Sequence, residues 1–402
     1  MLLAALAVLT LACSKSPASD GSANGDPETK QWVGTWATSQ QLTEPSNLPP
    51  APGLWGNTLR QVVHVSIGGE RIRVRFSNQY GYRPLTLDAV HVAASAGAGT
   101  IDPSTGVSLT FSGSPSVTIE PGATTLSDPF DFELAPLSDV AVSAVVGDTQ
   151  NDHTGHPGSR ATSYIASGDA ATEANLPSPV TTEHWYLLAG IDVLANAGAR
   201  AVVAFGDSIT DGRGSTTNGN DRWPDALARR LQANAATAGV AVLNHGIGGN
   251  AVLSGGLGPT ALERFERDVL EQDGVRWLVV LHGVNDIGAS TDASVAERLI
   301  DAYGTFVGRA RERDILVYGV PILPFGGSQY ASTEHEAARQ AVNEWIRTSG
   351  RFDAVLDLDE ALRSPNTPEN LAATYDSGDH LHPNASGYRK MAESIDLALF
   401  TE

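Results

Sequence analysis

The sequence predicts an all-β domain followed by an α/β domain with a parallel sheet. The chain has 402 residues, more than one hydrophobic core usually holds. Up to about residue 193, short apolar or alternating runs are separated by Gly, Pro, Ser and Asp, and no helix-length amphipathic pattern appears. From residue 200 onward, strand-like apolar runs alternate with helical stripes. We therefore expect a signal segment and flexible linker at 1–30, the all-β domain at 31–196 and the α/β domain at 197–402.

The N-terminal segment is typical of an exported bacterial protein. Residues 1–12 read MLLAALAVLTLA, an apolar run of signal-peptide length that is too short to span a bilayer. Cys13 follows, and then a linker rich in Ser, Gly, Asp and Pro. The pattern resembles a lipoprotein signal, in which a lipid on Cys13 tethers the protein to a membrane. The alternative is an ordinary secretory signal with a later cleavage site, so the protein is expected to be secreted or held at the cell envelope.

The expected all-β domain begins near Trp32. Residues 71–76 alternate Arg with Ile, Val and Phe, which is the period of a half-buried strand. Residues 59–66 precede them across Ile67-Gly68-Gly69, a sequence that favours a hairpin turn. Further short strands are expected at 85–93, 107–111, 117–119, 140–146 and 187–193. Several short strands with frequent turns predict a sandwich or a jelly roll.

The expected α/β domain alternates buried strands with amphipathic helices. The strands are expected at 201–205, 240–244, 277–281, 315–320 and 354–358. The helices are expected at 224–232, 294–307, 334–346 and 384–399. This alternation predicts a parallel sheet with helices on both faces. Such sheets bind ligands at the carboxyl ends of their strands.

Charge excludes one class of partner. The formal net charge is -20, from 46 acidic and 26 Lys and Arg residues. A surface this acidic repels a phosphate backbone, so we expect no nucleic-acid partner.

Polar residues of suggestive types follow three of the predicted strands and precede the last predicted helix. They are Gly206-Asp207-Ser208, Asn244 to Asn250, Gly283 to Asp286 and Asp379 to Asn384. Ester hydrolysis needs a hydroxyl nucleophile, a base, a group that orients the base, and donors for the oxyanion.

These segments contain a candidate for each requirement. Ser208 can act as the nucleophile, His382 as the base and Asp379 as the orienting group. The backbone N–H groups of Ser208 and Gly249, together with the Asn285 amide, can form the oxyanion hole. Gly249 suits this role because a bare backbone allows close approach of the substrate.

The four segments together resemble the SGNH (GDSL) hydrolase superfamily, which is named for Ser, Gly, Asn and His in four sequence blocks. Ile209 stands where the family nickname has Leu. The resemblance covers about 200–400 and implies a flavodoxin-like three-layer α/β/α sandwich with metal-free and cofactor-free Ser-His-Asp ester hydrolysis. Residues 32–37 also resemble exported bacterial members that carry an N-terminal β-domain.

Other interpretations of single residues point elsewhere. His282, His380 and His382 suggest a metal site, but the chain has no HExxH motif and no Cys cluster, so none is expected. His153 and His156 are expected in a surface loop, with a loop that reaches over the catalytic cleft as the alternative. Asp207 is expected to brace the oxyanion loop, and Asp211 to cap a helix or form a turn. Trp55 and Trp185 are expected in the core, with stacking on sugar rings as the alternative.

The expected function is hydrolysis of short-chain acyl or acetyl esters, with a small molecule or a glycan ester as the substrate. A carbohydrate O-deacetylase with the same triad is the first alternative, since an exported enzyme with an extra β-domain can dock a glycan. A non-catalytic glycan-binding protein with a degenerate hydrolase domain is the second, and the complete set of four blocks argues against it.

Overall fold

The computed structural model describes residues 30–149, 152–292 and 294–401. The expected signal segment, the linker up to residue 29 and Cys13 lie outside the described residues. Across the described ranges, no helix combines the length and the apolar character needed to cross a membrane.

The first half of the described chain is built from antiparallel strands. The strands are β1 Gln31–Ala37, β2 Gln41–Leu42, β3 Asn57–His64, β4 Gly69–Ser77, β5 Leu85–Gly97, β6 Thr100–Ile101, β7 Val107–Ser108, β8 Val117–Ile119, β9 Thr124–Leu126, β10 Phe130–Leu134, β11 Asp139–Val146, β12 Thr154–His156, β13 Ser163–Ser167, β14 Val180–Thr182, β15 Trp185–Tyr186 and β16 Leu188–Ala195. Short 3-10 helices lie at Pro45–Asn47 and Pro103–Thr105. The first sheet has the strand order β1-β16-β4-β10, and β9 also pairs with β4. The second sheet has the order β14-β13-β3-β11-β5-β6, and β7 and β8 also pair with β5. The third sheet has the order β15-β12-β2.

The predicted hairpin between β3 and β4 is wrong, because the two strands belong to different sheets. Strand β3 pairs with β11 and β13, whereas β4 pairs with β16 and β10. The connection passes through the core, where Ile67 is buried and both its N–H and its carbonyl bond the Thr35 hydroxyl. Gly68 is required for close approach, since a Cβ there would lie 2.3 Å from the Leu134 carbonyl oxygen. The glycines thus mark a crossing between sheets.

The second half of the described chain is an α/β unit around a parallel sheet. The strands are β17 Arg200–Gly206, β18 Val240–Gly246, β19 Val275–Leu281, β20 Leu316–Gly319 and β21 Ala354–Val355, in the order β18-β17-β19-β20-β21. This second-first-third-fourth-fifth order is the flavodoxin-like one. The three-layer arrangement implied by the resemblance stays a prediction. The helices are α1 Ser208–Asp211, α2 Trp223–Gln232, α3 Ala261–Phe265, α4 Val284–Ala289, α5 Val295–Arg311, α6 Thr333–Thr348, α7 Leu358–Leu362 and α8 Ala385–Glu393, with a π-helix at Glu266–Leu270 and a 3-10 helix at Leu397–Phe400.

The last predicted strand and the last predicted helix of the α/β half are both shorter than expected, and in each case a capping aspartate begins a separate helix. The predicted strand at 354–358 ends at Val355, because Asp357 accepts a hydrogen bond from Glu360 N and begins α7 at Leu358. The predicted helix at 384–399 ends at Glu393. Asp396 then caps a separate 3-10 helix by accepting a bond from Ala398 N.

One continuous hydrophobic core runs through both halves of the described chain. Strand β1 packs against β18, and a Cβ on Gly34 would lie 3.0 Å from the Leu243 side chain. Gly34 N also donates a hydrogen bond to the Asp273 carbonyl oxygen at 3.0 Å. Because each large apolar side chain buried there contributes about 1.5–3 kcal/mol, the contact between the halves adds to the stability of both.

Candidate active site

The turn after β17 places Ser208 at the carboxyl-terminal edge of the parallel sheet, where its strands end. Asp207 caps α1 by accepting a hydrogen bond from Ile209 N at 3.0 Å, so the helix begins at Ser208 itself. A Cβ on Gly206 would lie 2.2 Å from Thr210 Oγ1 and 2.5 Å from the Leu281 carbonyl oxygen, so only glycine fits. The strand, the turn and the short helix therefore hold the Ser208 hydroxyl in one position, with 5% of the residue exposed.

Ser208, His382 and Asp379 form a hydrogen-bonded chain. Ser208 Oγ lies 2.8 Å from His382 Nε2, and His382 Nδ1 lies 2.7 Å from Asp379 Oδ2. The carboxylate also accepts bonds at Oδ1 from the backbone N–H groups of Leu381 and His382. Since an ionised carboxylate only accepts, His382 carries its proton on Nδ1 and presents the Nε2 lone pair to the Ser208 hydroxyl.

The charge states suit proton transfer from Ser208. Burial lowers the pKa of His382, the hydrogen bond and charge of Asp379 oppose this, and Arg213 and Arg160 lower it further; the net pKa lies below its usual value. Burial raises the pKa of Asp379, but the hydrogen bonds from His382 outweigh it and bring the pKa to about 2. At neutral pH the imidazole is therefore mostly neutral and the carboxylate is charged.

The predicted oxyanion donors line the same cleft as Ser208. Gly249 has a φ of +69°, and a Cβ there would also lie 3.1 Å from Leu257. Asn285 lies in the first turn of α4, the first helix after β19. Its amide nitrogen donates to the Asn250 carbonyl at 2.9 Å, and Tyr330 donates its hydroxyl to Asn285 Oδ1 at 3.1 Å. These two bonds fix the orientation of the amide, whose second N–H can donate to another acceptor.

The cleft around Ser208 has a volume of about 660 Å³ and is built from both halves of the chain. The α/β half contributes the predicted site residues together with Arg213, Tyr330 and Leu381. The all-β half contributes Gln41, Glu44, Asn47, Pro157, Arg160 and His184. The bond from Tyr330 to Asn285 carried no sequence signal, because the two residues are 45 positions apart.

His153 and His156 are buried, so the expected surface loop is wrong. His156 Nε2 lies 2.8 Å from Asp211 Oδ1, and its Nδ1 lies 2.8 Å from the Ser39 carbonyl oxygen. Asp211 therefore binds the all-β half, where only a cap or turn was expected. Burial lowers the pKa of His153 to about 4. Residues that follow His156 line the cleft, as the alternative interpretation expected.

Arg264 connects the strand ends beneath the site and was missed by sequence reasoning. Its buried guanidinium donates to the carbonyl oxygens of Gly206 at 2.7 Å and His245 at 2.8 Å. It also bonds Asn250 Oδ1 at 3.0 Å and Asp268 Oδ2 at 2.9 Å. An arginine on a short helix shows no signal of its own, because its burial depends on segments distant in sequence.

The other residues singled out from the sequence do not belong to the hydrogen-bonded chain of Ser208, His382 and Asp379. Among the described residues, no group of three or more His, Cys, Asp or Glu side chains is arranged to hold a metal ion. His380 pairs with Asp376 at 2.6 Å, and His282 is buried behind the sheet edge. Asp207 is a helix cap, and burial raises its pKa to about 7. Trp185 is in the core, whereas Trp55 is 74% exposed.

Comparison with known proteins identifies a family for the second half of the chain. Residues 204–390 match the GDSL-like lipase/acylhydrolase family. This range contains Ser208, Gly249, Asn285, Asp379 and His382. No curated protein matches the chain.

Several solved structures are similar to about half of the chain. A GDSL-like lipase from Bacteroides thetaiotaomicron is 20% identical, with 50% of this chain and 87% of that chain covered and a TM-score of 0.37. An acetylxylan esterase from Geobacillus stearothermophilus is 20% identical, with 49% and 93% covered and a TM-score of 0.38. An α/β hydrolase from the metagenome of Lake Arreo, Spain, is 18% identical, with 51% and 98% covered and a TM-score of 0.38.

Proposed function

Residues 204–390 form a GDSL-like lipase/acylhydrolase domain, and from this premise we propose that the protein hydrolyses carboxylic esters with Ser208 as the nucleophile. The observation that carries the proposal is the hydrogen-bonded chain from Ser208 through His382 to Asp379. A neutral imidazole that faces a buried hydroxyl, with a carboxylate on its other nitrogen, is the arrangement that activates a serine.

The first half of the reaction acylates the enzyme. Ser208 Oγ attacks the ester carbonyl carbon while His382 Nε2 takes the hydroxyl proton. The carbonyl oxygen becomes an oxyanion and accepts hydrogen bonds from the N–H groups of Ser208 and Gly249 and from the Asn285 amide. The intermediate then collapses, the bond to the alcohol oxygen breaks, and His382 returns its proton to the departing alcohol.

The second half releases the acid. His382 takes a proton from a water molecule, which attacks the acyl carbon, and the oxyanion forms again in the same place. Collapse breaks the bond to Ser208 Oγ, which regains its proton from His382. Asp379 stays ionised throughout and stabilises the imidazolium that forms twice in each cycle. Each well-placed oxyanion donor is worth about 10²–10³ in kcat.

The test is the Ser208→Ala variant measured with p-nitrophenyl acetate. We expect kcat to fall by roughly 10³-fold or more, because the other groups cannot supply a nucleophile. A fluorophosphonate probe should label the wild type and not the variant. Ser116→Ala removes an exposed hydroxyl of the all-β half and serves as the control, with both activity and labelling retained. Equal rates for Ser208→Ala and the wild type would reject the proposal.

A carbohydrate O-deacetylase that uses the same residues is the second candidate. The cleft is larger than a short acyl group needs, and amide side chains of Gln41 and Asn47 from the all-β half line it. Such groups can bind sugar hydroxyls. Acetate release from acetylated xylan or pectin, compared with release from simple acetyl esters at equal ester concentration, separates the two candidates. A purely glycan-binding protein would bind these polymers, release no acetate and resist the fluorophosphonate probe.

A further inference from the structure

The cleft contains an arginine that has no acidic partner among the described residues. Arg160 lines it beside Ser208 and His382, and its Nε atom is buried without a hydrogen-bond partner. Among the described residues, no carboxylate forms an ion pair with its guanidinium. Its backbone φ of +50° is uncommon for a residue with a side chain, so the surrounding structure holds the residue in place.

Each carboxylate of the same cleft contacts a partner other than Arg160, although Asp211 Oδ2 itself has no hydrogen-bond partner among the described residues. Glu44 accepts hydrogen bonds from the side chains of Gln41 and Asn47. Asp211 contacts His156, and Asp379 contacts His382. None of them compensates Arg160, although the protein as a whole carries a net charge of -20. An unpaired cation in so acidic a protein is the group in the cleft best suited to attract a ligand.

A second arginine lies on the same side of the cleft. Arg213 Nε is 3.9 Å from Asp379 Oδ2, and 62% of the side chain is exposed, so this ion pair is loose. Both guanidiniums lower the pKa of His382, which places their charges within electrostatic reach of its ring. The positive side of the cleft is therefore the His382 side.

The chemistry of the reaction identifies which part of a substrate lies there. His382 must return a proton to the departing alcohol, so the alcohol portion of the ester lies beside His382, and the carbonyl oxygen points to Gly249 and Asn285. We propose that Arg160, assisted by Arg213, binds a carboxylate on the alcohol portion of the ester, and that the preferred substrates are acyl esters of acidic alcohols such as uronic-acid sugars or hydroxy acids. This inference rests on the proposed esterase function.

A carboxylate fits better than a phosphate group. A planar carboxylate accepts two parallel N–H bonds from a guanidinium, so one arginine is enough to bind it. A phosphate dianion would bring twice the charge into a cleft that Glu44, Asp211 and Asp379 also line. Among the described residues of the cleft, Arg160 is the one arginine without an acidic partner, since Arg213 already pairs with Asp379. The charges of the cleft therefore favour a single negative charge on the substrate.

The experiment compares two esters that differ in one charge. The pair is meta-acetoxybenzoate and meta-acetoxybenzamide, whose leaving groups are alike in size and reactivity; each rate is divided by the rate of hydroxide-catalysed hydrolysis. For the wild type we expect kcat/KM to favour the carboxylate by about tenfold or more, the usual effect of a charge-assisted hydrogen bond. Arg160→Gln should bring the ratio close to one, and Arg160→Lys should give a value between them.

Controls separate this inference from the esterase proposal. Arg71→Gln removes a half-exposed arginine of β4 and should keep the wild-type ratio. If the wild type hydrolyses neither ester, the esterase proposal fails. If it hydrolyses both with a ratio that Arg160→Gln leaves unchanged, the anion-binding inference fails and the esterase stands. A higher kcat/KM for meta-acetoxyphenyl phosphate than for the carboxylate would also overturn it.

If Arg160→Gln does not fold, a measurement on the wild type alone tests whether the arginine charges cause the preference for the carboxylate. Because attraction between charges is screened by salt, the preference for the carboxylate should fall as ionic strength rises from about 0.01 to 1 M. The rate for the neutral amide should stay nearly constant over this range. A preference that does not depend on salt would contradict a role for the two guanidiniums.

Discussion

The pair formed by His382 and Asp379 allows the most detailed prediction. In Asp379→Asn the side chain keeps its size, and its oxygen can still accept the backbone bonds from Leu381 and His382. The new amide group would donate to His382 Nδ1 and force the ring proton onto Nε2. In that tautomer the ring donates to Ser208 and cannot accept the Ser208 proton.

The size of the effect follows from exposure and distance. Asp379 Oδ2 lies 2.7 Å from His382 Nδ1, and the side chains are 41% and 7% exposed. For charge centres about 4 Å apart, the attraction is about 4 kcal/mol at an effective dielectric constant of 20 and about 1 kcal/mol in water. The attraction energy of this pair lies between these two values, because Asp379 is partly exposed to solvent. If the imidazolium loses about 1–4 kcal/mol of stabilisation, kcat should fall by about fivefold to a thousandfold. Because the variant also favours the wrong tautomer of His382, we expect a decrease near the upper end of this range.

The assay is kcat and kcat/KM for p-nitrophenyl acetate over a range of pH. The wild-type rate should rise as His382 loses its proton, with a midpoint below about 6.5 because burial lowers the pKa of this ring. Asp379 acts in the opposite direction and raises the pKa, so its neutralisation should move the midpoint to still lower pH while the maximal rate falls. A general loss of folding would lower the rate without this shift.

The same loop offers a matched control. Asp376 contacts His380 at 2.6 Å in a similar pair that does not touch Ser208. Asp376→Asn should therefore change kcat by less than about threefold, a margin smaller than one lost hydrogen bond. The reasoning is refuted if Asp379→Asn stays within threefold of the wild type, or if both variants lose activity equally.

Two further predictions concern the groups that support the site. Gly158→Ala should lower the melting temperature by several degrees, since the new Cβ would lie 1.8 Å from the buried Asp211 Oδ2 and overpacking costs about 1–3 kcal/mol. The control is Gly304→Ala in α5, where nothing lies within 4 Å of the new Cβ, and it should melt at the wild-type temperature or above it. Equal melting temperatures for the two variants would contradict the packing argument. Arg264→Met should reduce the free energy of unfolding in urea by about 3–5 kcal/mol, because it removes the buried guanidinium that donates to the Gly206 and His245 carbonyls and leaves the buried Asp268 with one partner fewer. A loss below about 1 kcal/mol would contradict the role assigned to this guanidinium.

The sequence alone predicts that Ser208, Gly249 and Asn285 lie close together, and the reason is geometric. Parallel strands end at the same edge of a sheet, so residues that follow different strands meet there. Ser208 follows β17, which lies between β18 and β19, the strands that precede Gly249 and Asn285. Periodicity alone identifies these strands. The flavodoxin-like strand order came from the resemblance and from no pattern of spacing.

Contacts between distant segments could not be foreseen. The alternation in β4 indicates a half-buried strand without indicating its neighbour, so Gly68 was interpreted as a turn when it serves close packing. His156 and Asp211 are 55 residues apart, and each stands among polar and glycine residues that are typical of surface loops. Whether such a side chain is buried depends on the packing of the two halves, which no local pattern describes.

The shared cleft changes how this protein should be engineered. Because residues before position 196 form one wall of it and belong to the same core, residues 197–402 alone are not a minimal enzyme: truncation would expose apolar surface and remove Arg160. Variation aimed at new substrates should be directed at the segments 41–47 and 157–160, which line the cleft but lie outside the parallel sheet that positions Ser208. Such libraries would alter selectivity while the Ser208 turn stays intact.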